Sequence, residues 1–328
     1  MTKTILAIGN AIIDIVCKVD DEFLTKNNLV KGSMSLIDEA TAQKLSNLKF
    51  ETVTSGGSAG NTIATLAEIG VNSAFIGKVA NDDFGKKFIS EISRTGVKFL
   101  NKNFSIQSSA KSFILLTPDA QRTMCTFLGC ASEITEDDID EKFFKNVEML
   151  YLEGYLWDSP NTILALKKAI NLAKKNAVKI AFSLSDSFCV SRHKDDFLSL
   201  VQNDLDILFA NEYEALELTS QKEFSLKNLA DFFKAKKDLI AIVTRSEKGC
   251  AVFENNKFFE SSAMEIEKLI DTTGAGDAFA AGFFYGLTNN SELKNSAEFG
   301  NILASKIIQK LGARFTENEI KSLTFVKK

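Results

Sequence analysis

The segment Ile270-Asp271-Thr272-Thr273-Gly274-Ala275-Gly276-Asp277-Ala278-Phe279 gathers residue types that can hold an anion and move a proton. Phe279, Phe283, Phe284 and Leu287 follow at helical spacing, so Gly274-Ala275-Gly276 sits where a loop enters a helix. The first N–H groups of a helix lack intrahelical partners and lie at the positive end of its dipole. Glycine lets a phosphate approach such a backbone closely. Asp277 then falls in the first turn, beside that anion seat. A carboxylate next to a phosphate is repelled unless it takes part in chemistry. Phosphoryl transfer gives it a part: it accepts the proton of the attacking hydroxyl while N–H donors hold the developing charge. The other reading has Asp277 complementing the helix dipole and the glycines packing against a neighbour. The turn alone leaves both open.

A second glycine turn, Gly56-Gly57-Ser58-Ala59-Gly60-Asn61, precedes Ile63, Leu66, Ala67 and Ile69, again at helical spacing. Its backbone donors and the Asn61 amide suit vicinal hydroxyls. Asp14, in Gly9-Asn10-Ala11-Ile12-Ile13-Asp14, can accept two hydrogen bonds from such a diol. Taken alone, it reads more simply as a solvated turn carboxylate. Asn211 and Glu214 stand three apart at a helix start, share a face and fit a capping box. His193 is the only histidine and lies in the charged run Val190–Asp196, so it reads as solvated surface. One histidine excludes a histidine-rich metal site, and its place in a charged run offers no convincing Ser-His-Asp triad. Trp157 reads as packing.

The elements that must carry these residues follow from hydrophobic pattern. Met149–Leu152, Ile180–Phe182, Ile207–Ala210 and Leu239–Val243 are short continuous apolar runs, as in strands buried on both faces of a parallel sheet. Helical spacing lies between them, as at Ile163, Leu164, Leu166, Ile170 and Leu172. Strand alternating with helix predicts a doubly wound, mostly parallel α/β sheet flanked by helices. The N-terminal third alternates polar and apolar residues at Asp14–Val19, and Met34–Ile37, Ser112–Thr117 and Thr123–Phe127 also read as strands. Segments 14–38 and 104–128 are therefore expected to form a small β lid inserted in one domain spanning 1–328. An antiparallel edge of the main sheet is the alternative.

Composition bounds the function classes. The chain has 328 residues, 45% hydrophobic and 25% charged, which is the composition of a globular enzyme. A net charge of −4 favours neither nucleic acid nor an anionic membrane as partner. Five scattered cysteines with no CxxC pair read as reduced thiols in a cytoplasmic protein. The N-terminal apolar run is too short for a signal peptide, and no stretch reaches the roughly 20 apolar residues a bilayer span requires. No G-x-G-x-x-G follows the first strand, which speaks against a nicotinamide dehydrogenase.

Asp271–Gly282 resembles the C-terminal signature of the PfkB, or ribokinase-like, family of carbohydrate and nucleoside kinases, and Gly56–Asn61 resembles its N-terminal signature. The two stand in the expected order, and with other segments the resemblance covers nearly the whole chain. It implies ATP as phosphoryl donor, Mg2+, a ribokinase-like fold, Asp277 as general base and Gly274-Ala275-Gly276 as anion hole. It implies a sugar or ribose bound by Asn10, Asp14, Gly56, Gly57 and Asn61. Arg122, in Pro118-Asp119-Ala120-Gln121-Arg122-Thr123, resembles the arginine near the lid that reaches the transferring phosphate; without the resemblance it is an exposed turn arginine. Asn211 and Glu214 correspond to a pair supporting Mg2+ largely through water. Thr244-Arg245-Ser246-Glu247-Lys248-Gly249 resembles the nucleotide-side loop Thr-x-Gly-x-x-Gly, with Ser246 in place of the first glycine. Asn301 is a candidate on the adenine side of ATP. Asp271, Thr273 and the Gly312-Ala313-Arg314-Phe315 turn resemble segments that hold a monovalent cation such as K+ in relatives.

Within that family the resemblance is finer toward the adenosine kinases. It rests on Gly9-Asn10 through Asp14-Ile15, Val19–Leu24, Tyr151-Leu152-Glu153-Gly154-Tyr155, Leu184–Phe188 and Ile207–Ala215. It implies a flat slot for a purine, lined by Ile12, Leu36, Leu156 and Phe188, with Phe188 stacking on the base. These four read otherwise as ordinary core residues. The expected reaction is phosphorylation of a nucleoside 5′-hydroxyl, adenosine to AMP, by a monomer or a lid-paired homodimer. The same chemistry on ribose or fructose, and a non-catalytic binding protein on the same scaffold, stay open at this point.

Overall fold

Apolar runs without polar alternation become strands covered on both sides. In the computed structural model, which describes residues 4–100, 103–119, 121–255 and 257–323, Ile5 and Ala7 pack into one core while Leu6 and Ile8 pack into another across the sheet. Met1–Lys3, in the N-terminal run, and Ala120, inside the expected lid segment, fall outside the described residues, as do 101–102, 256 and 324–328. Along the chain the strands are β1 (Thr4–Ile8), β2 (Ile12–Lys18), β3 (Met34–Leu36), β4 (Phe50–Ser55), β5 (Ser73–Ile76), β6 (Lys98–Phe99) and β7 (Ala110–Leu116). Then follow β8 (Arg122–Phe127), β9 (Val147–Glu153), β10 (Lys179–Ser183), β11 (Ile207–Asn211), β12 (Ile240–Thr244), β13 (Cys250–Glu254) and β14 (Lys257–Ser261).

Nine strands form one sheet in the order β14-β13-β12-β11-β10-β9-β1-β5-β6. Neighbours from β12 through β6 are parallel, and β13 and β14 add an antiparallel edge. Helices cover both faces, so the expected doubly wound sheet stands. The antiparallel edge comes from the hairpin after β12, not from the N-terminal third.

A second sheet runs β3-β8-β7-β2-β4. It draws on the two segments expected to form a small sheet and adds β4, which the pattern reading missed. Its central strand β7 is not half-covered. Phe113 and Leu115 enter the main core, and the Lys111 ammonium lies 5.0 Å from the centre of the Phe84 ring. No helix among the described residues is long and apolar enough to cross a membrane. All five cysteines are buried, free thiols.

The parallel strands place chemistry at their carboxyl ends. Asn10 follows β1, Glu153 closes β9, Ser183 closes β10, Asn211 closes β11 and Thr244 closes β12, and all five line one cavity of about 750 Å³. A crevice outside the carboxyl ends of strands is where doubly wound sheets bind ligands.

Candidate active site

Asp277 stands in the first turn of the helix Ala275–Thr288, after Gly274 at φ 77°. Its Oδ1 accepts a 2.6 Å hydrogen bond from Ser58 Oγ, and its Oδ2 accepts one of 3.0 Å from Asn61 Nδ2. Thr62 Oγ1 donates to the Asp277 carbonyl at 3.2 Å. The two glycine turns, far apart in sequence, thus meet at one carboxylate. Asp277, Gly274, Ala275 and Gly276 all line the cavity. Burial raises the Asp277 carboxyl to about 6, against the opposing pull of the Ser58 and Asn61 hydrogen bonds and of Arg314.

The expected acceptor side assembles around the same carboxylate. Gly57 adopts φ 84°, and a Cβ there would stand 2.2 Å from the Asn10 carbonyl oxygen, so only glycine fits this crossing. Gly56 donates its N–H to the Ile12 carbonyl at 2.8 Å and lies directly against the Asp14 carboxylate. Asp14 is raised to about 7 by burial, with Arg314 opposing and Asp277 adding to the rise. Asn10, Ile12, Asp14, Gly57 and Asn61 line the cavity.

Two residues were not expected on the acceptor side: Glu153, and Arg314 of the Gly312–Phe315 turn, which the resemblance had set beside a cation. Glu153 is fully buried, and its carboxylate accepts from the Asn10 N–H at 2.8 Å, Asn10 Nδ2 at 2.9 Å and the Ala59 N–H at 2.7 Å. Burial raises it to about 7 against those bonds. A glutamate ending an apolar strand was the available signal. Arg314 donates to the Ser55 carbonyl at 3.1 Å and the Gly60 carbonyl at 2.9 Å, spanning the Gly56-Gly57 turn.

The expected base slot is met in part. Ile12, Leu36 and Phe188 line the cavity, and the latter two are exposed, at 57% and 76%. Leu156 is 2% exposed and belongs to the core with Trp157, Phe182 and Phe197, not to the lining. The short helical turn Gly154–Asp158 rolls it inward, so its assignment to the slot is corrected. His193 is not solvated surface. Its Nε2 lies 2.7 Å from Asp158 Oδ1, where Arg192 also binds, and Asp158 and Arg192 face the cavity.

On the phosphate side, Arg122 Nη1 donates to Thr273 Oγ1 at 2.8 Å and ion-pairs with Asp271. Asp271 also accepts from the Thr273 N–H at 3.0 Å, Thr273 Oγ1 at 2.7 Å and the Gly312 N–H at 2.7 Å. These donors hold its carboxyl below the usual range although burial opposes them. Arg122 and Thr273 share Oδ1, and the Gly312 N–H binds Oδ2, so the segments expected beside a monovalent cation, Asp271, Thr273 and the Gly312–Phe315 turn, do come together. Asn211 and Glu214 form the capping box, with Asn211 Nδ2 donating to Glu214 Oε1 at 2.6 Å. Burial raises Glu214 to about 7. Both line the cavity, so an outer-shell role beside a hydrated Mg2+ fits the cap. Among the described residues, no cluster of three or more His, Cys, Asp or Glu could ligate a metal directly.

Thr244 lines the cavity, whereas Gly249 and Asn301 lie behind the lining. Gly249 turns at φ 82° against the Ser261 carbonyl. Asn301 Nδ2 donates to Ser261 Oγ and to the Ser262 carbonyl, each at 3.0 Å, and holds that loop. Ser246, standing where the resembled loop has glycine, keeps a glycine-like φ of 50°.

A buried carboxylate between a helix start and a second glycine turn, in a crevice at the carboxyl ends of parallel strands, suits group transfer to a small molecule, and the relatives below are phosphotransferases that act on an alcohol group. Residues 3–320 match the pfkB family carbohydrate kinase pattern, and the chain belongs to that family. It is 27% identical to adenosine kinase of Saccharomyces cerevisiae over 98% of this chain and 99% of that protein. It is 26% identical to 5-dehydro-2-deoxygluconokinase of Bacillus subtilis over 78% of this chain and 81% of that one. Among solved structures, adenosine kinase from Sinorhizobium meliloti superposes with a TM-score of 0.89 at 37% identity, covering 98% of both chains. A probable sugar kinase protein from Rhizobium etli CFN 42 superposes with the same TM-score of 0.89 at 36% identity and the same coverage.

Proposed function

We propose that this protein phosphorylates the 5′-hydroxyl of a nucleoside with ATP, converting adenosine to AMP. The observation that carries the reading is Asp277 hydrogen-bonded to Ser58 and Asn61 while lining the cavity with Gly274–Gly276. ATP with Mg2+ supplies the phosphoryl group. Asp14 and Asn61 accept and donate to the ribose diol beside the Gly57 backbone. Asp277 releases its Ser58 and Asn61 donors and takes the proton of the attacking hydroxyl. The Gly274 and Gly276 N–H groups face the charge that develops, while the Ala275 N–H is held by the Thr272 carbonyl at 3.2 Å, and Arg122 leaves Thr273 and Asp271 to join them. The β2-β3-β4-β7-β8 sheet acts as a lid that excludes water, which would otherwise be the competing acceptor. Phe188, Leu36 and Ile12 give a planar base an apolar seat. The 37% identity to an adenosine kinase supports that choice of acceptor.

A free sugar as acceptor is the second reading, favoured by the equally similar probable sugar kinase. ADP formation measured with ATP and Mg2+ against adenosine, inosine, guanosine, ribose and fructose decides between them. Adenosine is expected to give the highest kcat/KM. A higher value for ribose or fructose than for any nucleoside refutes the nucleoside assignment.

A further inference from the structure

One short turn touches both halves of the site. The Gly312 N–H binds Asp271 Oδ2 at 2.7 Å, at the base of the 274–276 turn. Ala313 packs against Gly274 so closely that a Cβ on Gly274 would stand 2.5 Å from the Ala313 Cβ. Arg314 then reaches the other turn. Its Nε donates to the Ser55 carbonyl at 3.1 Å, Nη1 to the Gly60 carbonyl at 2.9 Å, and Nη2 to Ser55 Oγ at 3.3 Å. The Ser55 N–H is held in turn by Glu91 at 2.6 Å. Three consecutive residues therefore fix the anion-side turn and the acceptor-side turn in one register.

We infer that Arg314 is a positioning residue for phosphoryl transfer: its fork holds both ends of the Gly56-Gly57 turn, and its charge steadies the carboxylates that face the acceptor. The inference rests on the assignment of Asp277 as base and of the Gly57–Asn61 turn as acceptor site. Arg314 touches no reacting atom and acts through that turn. The charges around it are Asp14 on β2, Asp277 at its helix start, Glu68 at the end of the Ser58–Glu68 helix and Glu91 behind Ser55. Glu153 adds a further carboxylate near Asp277. Arg314 pulls Asp14, Glu68 and Asp277 down against the rise that burial imposes. Without it those groups hold protons at higher pH, and the base is neutralised earlier on acidification.

The test compares Arg314→Lys, Arg314→Gln and Arg314→Ala in the full chain. The acceptor is whichever of adenosine, inosine, guanosine, ribose and fructose turns over fastest. Arg314→Gln is expected to raise the acceptor KM about tenfold or more while the ATP KM stays within about twofold. The acid limb of its kcat/KM profile moves to higher pH. Arg314→Lys keeps the limb in place, because the charge remains, but not the acceptor KM, because the fork is lost. Added guanidinium restores part of the Arg314→Ala rate. Amide hydrogen exchange gives a readout independent of turnover: residues 55–61 exchange about tenfold faster in folded Arg314→Gln, and 278–288 do not. Unchanged exchange at 55–61 together with an unmoved acid limb overturns the inference. Equal rises in both KM values, or general acceleration of exchange, reduce Arg314 to a stability role. Failure of Asp277→Asn to lose activity sinks the base assignment alone and leaves the exchange result intact.

Discussion

Replacing Asp277 by Asn should make this protein slower and, at neutral pH, more stable. Loss of a positioned base costs about 10²–10⁴ in rate, which is ~3–5 kcal/mol of barrier at about 1.36 kcal/mol per decade. The stability effect follows from burial, which raises the carboxyl from the ordinary 3.8 to about 6. That rise sets an upper bound of ~3 kcal/mol. Cavity water screens this to ~2 kcal/mol. The sign is that of a raised carboxyl. The folded protein holds the proton between 3.8 and about 6, so the group's contribution is complete below 3.8 and lost as pH rises through about 6. At pH 8 the wild type bears the whole cost of a buried charge. Asparagine removes that cost but keeps one acceptor oxygen where the carboxylate had two, so one of the Ser58 and Asn61 bonds is weakened, forfeiting about 1 kcal/mol. The net gain is ~1 kcal/mol at pH 8 and shrinks toward zero near pH 4.5. Urea denaturation at both pH values and steady-state ADP release measure the two effects. Turnover within tenfold of wild type refutes the base assignment. A stability difference that ignores pH refutes the burial account.

Three more outcomes are expected. The kcat/KM profile falls as pH drops through about 6 to 7, because Asp277, Asp14 and Glu153 are raised into that range and titrate as a coupled set; a limb near pH 4 would contradict their burial. Gly57→Ala, with φ 84° and a Cβ placed 2.2 Å from the Asn10 carbonyl, costs about 2–4 kcal/mol in denaturant unfolding and raises the acceptor KM at least tenfold; a neutral result would mean the turn relaxes freely. Phe188→Ala raises the adenosine KM about 5- to 50-fold, as loss of a base-stacking ring does, and leaves ribose turnover and stability within about twofold and 0.5 kcal/mol. Equal effects on adenosine and ribose would remove Phe188 from the base seat.

The central parallel strands were legible because Ile207–Ala210 and Leu239–Val243 are apolar at every position, and only a strand covered on both faces tolerates that. β4 was not, because Phe50-Glu51-Thr52-Val53-Thr54-Ser55 is half exposed and mostly polar, which a surface loop also permits. The β13–β14 edge went unremarked because Lys257-Phe258-Phe259-Glu260-Ser261 carries no hairpin signal strong enough to order it. Both glycine turns were legible through their resemblance to two family signatures in the expected order, since the glycines alone leave a packing role open. Glu153 was not read as a site residue, and Arg314 only within the turn expected beside a cation, because their partners lie far along the chain. Ala59 is 94 positions from Glu153, and Ser55 is 259 from Arg314. Leu156 was misplaced because a short helical turn directs side chains by a rotation that an apolar pattern does not encode.

The Ser58–Asp277 hydrogen bond joins positions 219 apart, and the Arg314 clamp closes a still longer loop. A growing chain therefore completes the Gly56–Asn61 turn long before Asp277 and Arg314 exist to close on it. The same arrangement makes ordering of the two turns a late, non-local event in folding. Loss of the 312–315 turn therefore removes the Arg314 clamp while every strand of both sheets, all earlier in the chain, is retained.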